Sequence, residues 1–222
     1  MPILELARKK KMSISRVEEY YNALRTNIQL SGENIRVIAI SSTFPGEGKT
    51  TTSTNLALTF AKAGHKTLLI DADIRNSKML GGVFKSDGKV TGLTEYLSGT
   101  TDLSQGLCET DEPNLFVVSS GQISPNPTAL LQSDRFATMM NVLRRHYDYI
   151  IVDTPPIGMV VDATLISRVC DASLLVVAPK EVKRKMVQRS KMQLEQSSTP
   201  FLGVVLNKYN VQADKYGFYG SY

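Results

Sequence analysis

The sequence predicts an α/β fold, with a mostly parallel sheet covered by helices on both faces, and three observations carry this. Strand-like and helix-like segments alternate along the chain. Most of the strand-like segments are continuous apolar runs, the pattern of strands buried on both sides. A glycine-bearing loop joins one of these runs directly to a helix, as in sheets whose strand ends form a ligand crevice.

Residues 1–14 read as a loose basic arm, with Arg8, Lys9, Lys10 and Lys11 in a row. Ser15 precedes Glu18 by three, a capping-box spacing. Val17, Tyr21, Leu24 and Ile28 then fall on one face of a helix that closes near Ser31-Gly32. Residues 35–41 read as a buried strand and 50–63 as a helix ended by Gly64. A second strand covers 67–70. Residues 75–114 lack a period, apart from a short helix near 94–97. A third strand is expected at 115–118, a helix over 128–147, and a fourth strand at 149–152. A short helix at 162–169, a strand at 173–178, a helix at 182–196 and a strand at 201–206 complete the series. The organisation is therefore a basic arm and N-terminal helix (1–34), an α/β domain (35–208) and a flexible C-terminal tail (209–222). The apolar face of the first helix is a candidate oligomerisation element.

Composition excludes several classes. The chain has 222 residues, enough for one sizeable core, with 42% hydrophobic and 21% charged residues. No apolar run approaches the roughly 20 residues of a membrane span, and the N-terminus lacks a secretion signal's apolar core. A cytoplasmic protein is expected. Cys108 and Cys170 stand in no metal-ligand spacing and read as reduced packing residues; His65 and His146 are isolated. The net charge of +5 comes with no nucleic-acid module signature, so no nucleic-acid partner is expected.

The sharpest motif is Pro45-Gly46-Glu47-Gly48-Lys49-Thr50, between a strand and a helix. Such a loop wraps backbone N–H groups around a phosphate at a helix N-terminus, supplies a lysine to the β- and γ-phosphates, and offers a hydroxyl to Mg²⁺. It makes this a P-loop NTPase fold with ATP and Mg²⁺ as cofactors, although Thr43 stands where the pattern has its first glycine. The nucleotide contacts are placed at Gly46, Glu47, Gly48, Lys49, Thr50 and Thr51. A second motif, Asp71-Ala72-Asp73-Ile74-Arg75, puts two acids at a strand end, where carboxylates hold Mg²⁺ or accept a hydroxyl proton. A third, Tyr149 to Pro156, is an apolar strand ending in Asp153, the usual place for an acid near the metal. Asn207, after the last strand, is a candidate for reading the adenine edge. Four of the nine tyrosines, Tyr209, Tyr216, Tyr219 and Tyr222, lie in the last 14 residues, where even spreading would place about 0.6.

Together, a P-loop, DxDxR, an apolar strand ending DTPP and a tail of clustered tyrosines resemble the bacterial tyrosine kinases. Within that family the sequence looks most similar to the CpsD-type kinases of Gram-positive capsular polysaccharide operons. The match runs from about Val17 to Tyr222. The resemblance implies an ATP-dependent kinase that phosphorylates its own tail tyrosines and regulates capsular or exopolysaccharide synthesis and export. It implies Lys49 on the β- and γ-phosphates, Asp71 as base toward the tyrosine hydroxyl, and Arg75 beside the phosphates. It places magnesium on Thr50, Asp73 and Asp153. Its implied partners are a membrane-spanning activator with a cytosolic tail, which recruits the kinase to the membrane, further copies of the chain, and a cognate phosphotyrosine phosphatase. Asn22 replaces the first arginine of the family's ExxRxxR subunit-contact motif. A second reading is a positioning-type (MinD/ParA-like) ATPase acting on membrane or DNA. That group carries a lysine early in the loop, where this chain has Phe44.

Overall fold

The computed structural model describes residues 2–7, 17–86, 88, 90–179 and 181–209. Nine strands form one sheet in the order β4-β1-β5-β6-β3-β7-β2-β8-β9. The strands are β1 (Ile3–Leu6), β2 (Val37–Ser42), β3 (Thr67–Asp71), β4 (Phe84–Lys85), β5 (Leu107–Thr110), β6 (Leu115–Val118), β7 (Tyr149–Asp153), β8 (Ala172–Val177) and β9 (Phe201–Leu206). From β6 to β9 every neighbouring pair is parallel. Apart from a distorted turn at Met79–Gly82, where Leu80 and Gly81 leave helical geometry, the helices are α1 (Glu18–Ser31), α2 (Lys49–Lys62), α3 (Leu93–Leu97), α4 (Leu103–Gly106), α5 (Pro127–Leu131), α6 (Asp134–Leu143), α7 (Asp162–Ser167) and α8 (Arg184–Glu195). The expected mostly parallel α/β sheet is thus present.

The central strands are buried along nearly their whole length because helices cover both faces. One core places Ile38, Ile40, Leu69 and Ile151 of the sheet against Leu56 and Phe60 of α2. The opposite core sets Ala39, Ile70 and Val152 against Phe136 and Met140 of α6. In α2, every residue from Thr52 to Ala61 is buried, since α1 lies over it. Tyr21, Leu24 and Ile28 of α1 pack into the same core. The face expected to serve assembly is therefore used within the chain. The exposed side of α1 carries Tyr20 at 62% and Leu30 at 80% exposure.

Three parts of the pattern differ from expectation. Ile3–Leu6, assigned to a loose arm, is strand β1: it pairs with β5 and β4 and buries Leu4 and Leu6. Its I-L-E-L alternation is too short to stand out beside the basic run. The patternless stretch 75–114 holds β4, α4 and β5. The helix expected over 128–147 is two, because Ser133 takes an extended backbone (φ −70°, ψ 151°) ahead of Asp134. The hydroxyl of Ser133 donates to the Leu130 carbonyl at 2.7 Å, closing the first of the two.

Candidate active site

Strand order brings the motifs together. β3, β7 and β2 are adjacent, and each ends at the same edge in one motif. Register pairs Asp71 with Asp153 and Ile40 with Asp153. The Asp71 and Asp153 carboxylates and the loop after β2 are therefore neighbours by backbone geometry, at the carboxyl ends where α/β sheets bind ligands.

The loop is held from three sides. Gly46 and Gly48 have φ of +87° and +94°, a left-handed backbone that favours glycine. A Cβ on Gly48 would lie 1.9 Å from Asn207 Nδ2, whereas one on Gly46 would meet nothing within 4 Å. Glu47 turns inward and is buried. Its Oε2 accepts from the Phe44 N–H at 2.6 Å and its Oε1 from the Ala178 N–H at 3.2 Å. Asn207 Nδ2 donates to the Glu47 carbonyl at 2.8 Å. On the third side the Gly158 N–H donates to the Thr43 carbonyl at 3.1 Å, and a Cβ on Gly158 would be 2.3 Å from that oxygen. Thr43 is not among the left-handed residues, so its backbone does not require the glycine it replaces.

Lys49 Nζ, on the first turn of α2, lies 3.2 Å from Asp73 Oδ2, 3.6 Å from Asp153 Oδ2 and 3.4 Å from Thr50 Oγ1. Burial would lower its pKa, but Asp153 and Asp73 outweigh burial and the net direction is upward, so the ammonium stays charged. Asp153 accepts from Thr50 Oγ1 at 2.7 Å and from Ser53 Oγ at 2.9 Å. Burial raises its pKa against the opposing pull of Lys49, Thr50 and Ser53. Asp73 Oδ1 accepts from the Asn76 N–H at 3.2 Å. Asp71 is fully buried. Its Oδ2 accepts from the Ser77 hydroxyl, and its Oδ1 has no hydrogen-bond partner. Burial first, and the Asp153 charge second, push Asp71 up from 3.8 to about 7.

These groups border a cavity of about 490 Å³. Gly46, Gly48, Lys49, Thr50, Thr51, Asp73, Arg75 and Asp153 of the sequence-derived set line it. Asp71 sits behind its wall, covered by Ser77, which does line it. Neither Glu47 nor Asn207 lines it: the Glu47 carboxylate ties the loop to Phe44 and Ala178, and Asn207 reaches in from after β9 with an amide donor engaged on the Glu47 carbonyl. Arg75 is on the wall, but its guanidinium is bonded to Asp162. Tyr209 is 44% exposed, while Tyr216, Tyr219 and Tyr222 lie outside the described residues. Sequence reading missed Ser77, Ser53, Gly158, Thr128 and Asp162. The cysteines are free and buried, as expected.

Thr50, Asp73 and Asp153 offer hydroxyl and carboxylate oxygens, the donors a hard divalent cation takes. Among the described residues no three His, Cys, Asp or Glu side chains gather to enclose a metal by themselves. Mg²⁺ keeps waters and takes one or two carboxylates together with phosphate oxygens, and Asp73 and Asp153 on the cavity wall could supply two.

A family model described as an AAA domain matches residues 35–189. The chain is 62% identical to the tyrosine-protein kinase CpsD of Streptococcus pneumoniae, covering 100% of this chain and 97% of that one. In structure it is similar to the kinase domain of the Escherichia coli tyrosine kinase ETK, with a TM-score of 0.80 and 33% identity over 86% of this chain and 77% of that one. It is also similar to the septum site-determining protein MinD of Pyrococcus horikoshii complexed with Mg-ADP, with a TM-score of 0.67 and 25% identity over 79% and 71% of the two chains.

Proposed function

The chain belongs to the AAA-domain family and, within it, to the CpsD-type bacterial protein tyrosine kinases, and from that premise we propose its donor, its acceptor and the roles of its residues. The kinase relatives displace the positioning-ATPase reading. ATP is the phosphoryl donor, cradled by Gly46 to Thr51 with the β- and γ-phosphates on Lys49. Thr50, Asp73 and Asp153 hold Mg²⁺, directly or through water, which neutralises charge on the phosphates when bound. The acceptor is a tail tyrosine among Tyr209, Tyr216, Tyr219 and Tyr222. Its phenolic oxygen attacks the γ-phosphorus as the bond to the β,γ-bridging oxygen breaks; its proton passes to the Ser77 hydroxyl, which lines the cavity, as Ser77 gives its own proton to Asp71 behind it. The observation that carries this reading is the β3–β7 register, which sets Asp71 beside Asp153 and both beside Lys49. A base with a pKa near 7 suits work at neutral pH. Arg75 serves the same phosphates.

Among the described residues no helix is long and apolar enough to cross a membrane. Recruitment to the membrane by an activator with a cytosolic tail, a role in capsule or exopolysaccharide synthesis, phosphorylation between copies of the chain and reversal by a phosphatase complete the proposal. The split between the two acids is tested by metal rescue. Asp73→Asn should recover activity when Mn²⁺ replaces Mg²⁺, and Asp71→Asn should not; equal rescue of both refutes the assignment.

A further inference from the structure

Asp162 opens α7 and is fully buried. A buried carboxylate is stable only where it is paired and hydrogen-bonded. Here its Oδ2 accepts from Arg75 Nε at 2.6 Å, and its Oδ1 accepts from Arg75 Nη2 at 3.1 Å and from Thr128 Oγ1 at 2.9 Å. Arg75 Nη2 also donates to Thr128 Oγ1 at 2.7 Å. Guanidinium, hydroxyl and carboxylate thus close a ring across three segments: the loop after β3, the start of α5 and the start of α7. Arg75 is charged under this arrangement, chiefly through its hydrogen bonds to Asp162. Two contacts from one carboxylate fix both the position and the plane of the guanidinium, and they leave Nη1 as the donor for an anion in the cavity that Arg75 lines.

We infer that Asp162 is a positioning residue for phosphoryl transfer, holding Arg75 against the cavity wall with Thr128 as the bridge. The inference rests on the reading that Arg75 serves the phosphates. Arg75 has two anions within its electrostatic reach, Asp162 and Asp73. A guanidinium released from Asp162 is drawn to Asp73, where it competes with Lys49 and with the cation that Asp73 serves. Anchoring therefore does two things: it preorganises a donor before the reaction, and it keeps that donor off a neighbouring functional acid.

The test compares Asp162→Asn, Arg75→Met and the double variant in the full chain with Mg²⁺-ATP. A synthetic peptide of residues 209–222 is the acceptor. Nucleotide affinity is read separately by titration with a fluorescent ADP analogue, and folding by thermal melting. Asp162→Asn should lower kcat about 100-fold, the scale of a misplaced catalytic group. Nucleotide affinity should change less than about threefold, and the double variant should be no slower than Arg75→Met. If Asp162→Asn does not fold, Thr128→Val carries the test, with a loss of about tenfold that Thr128→Ser restores. An unchanged kcat in the Asp162 variant, or an equal loss with and without Arg75, overturns the inference while the role of Arg75 stands. A wild-type kcat in Arg75→Met overturns that role, and the inference with it.

Discussion

Asp71→Asn should stabilise the protein at pH 8 far more than at pH 5. The carboxyl of Asp71 is fully buried, has an oxygen without a partner, and sits beside Asp153. Its pKa stands at about 7, against 3.8 in an ordinary setting. The unfolded chain releases this proton near pH 4, and the native chain keeps it until about pH 7. Between these values the native state binds more protons, so stability falls as pH rises and remains low above pH 7. A gap of about three pKa units at about 1.4 kcal/mol each makes the cost about 4 kcal/mol at pH 8, and well under half of that at pH 5. Asparagine keeps the size of the side chain, can still meet the Ser77 hydroxyl and removes the charge. The extra gain at pH 8 is about 2–3 kcal/mol, which for a domain of this length is about 5–10 °C in melting temperature. Thermal melts in chelator, without nucleotide, at the two pH values give the answer. An equal shift at both, or a lower melting temperature for Asp71→Asn at pH 8, refutes the argument that burial beside Asp153 holds this acid protonated.

The glycines of the loop give a graded set. Gly48→Ala should weaken nucleotide binding by about tenfold or more, because it combines left-handed strain of about 1–3 kcal/mol with a clash against Asn207 that breaks the Asn207–Glu47 bond. Gly46→Ala has the same kind of strain and an open surrounding, so titration with a fluorescent nucleotide should show a smaller loss. Gly158→Ala drives a Cβ into the Thr43 carbonyl, a backbone atom that cannot swing aside. It should lower the melting temperature and weaken nucleotide binding together, and a variant unchanged in both would show that this contact does not shape the loop.

The parts legible in the sequence share a physical cause. β2, β3 and β7 are buried on both faces, so each is a mainly apolar run; β3 and β7 end in Asp71 and Asp153, and β2 runs into the glycine-bearing loop. Gly48, Lys49 and Asp153 follow from that punctuation. β1 and β5 are four residues long and lie toward the edge of the sheet, where alternation is too brief to register. Apolar periodicity continues across Gln132-Ser133, so the break between α5 and α6 is a backbone event with little trace in composition. In the site, Glu47 occupies a position the loop pattern leaves free, and only tertiary structure turns its carboxylate toward Phe44 and Ala178. Asp162 looks like any acid placed in a helix's first turn to suit its dipole. Its pairing with Arg75 spans 87 residues of chain, a separation at which a single sequence holds no signal.

If Lys49 and the acids around it drive phosphoryl transfer from ATP to the tail tyrosines, removing the lysine's charge should stop it. The direct measurement incubates wild-type chain and Lys49→Met with ATP, Mg²⁺ and an activator's cytosolic tail, then maps phosphate residue by residue with mass spectrometry. Methionine keeps the bulk of the lysine and removes the charge that the transferring phosphoryl group requires. Phosphotyrosine should appear within Tyr209, Tyr216, Tyr219 and Tyr222 of the wild type and not above background in Lys49→Met. Equal labelling of the two chains, or ATP consumed by the wild type with no phosphate on those tyrosines, would contradict it.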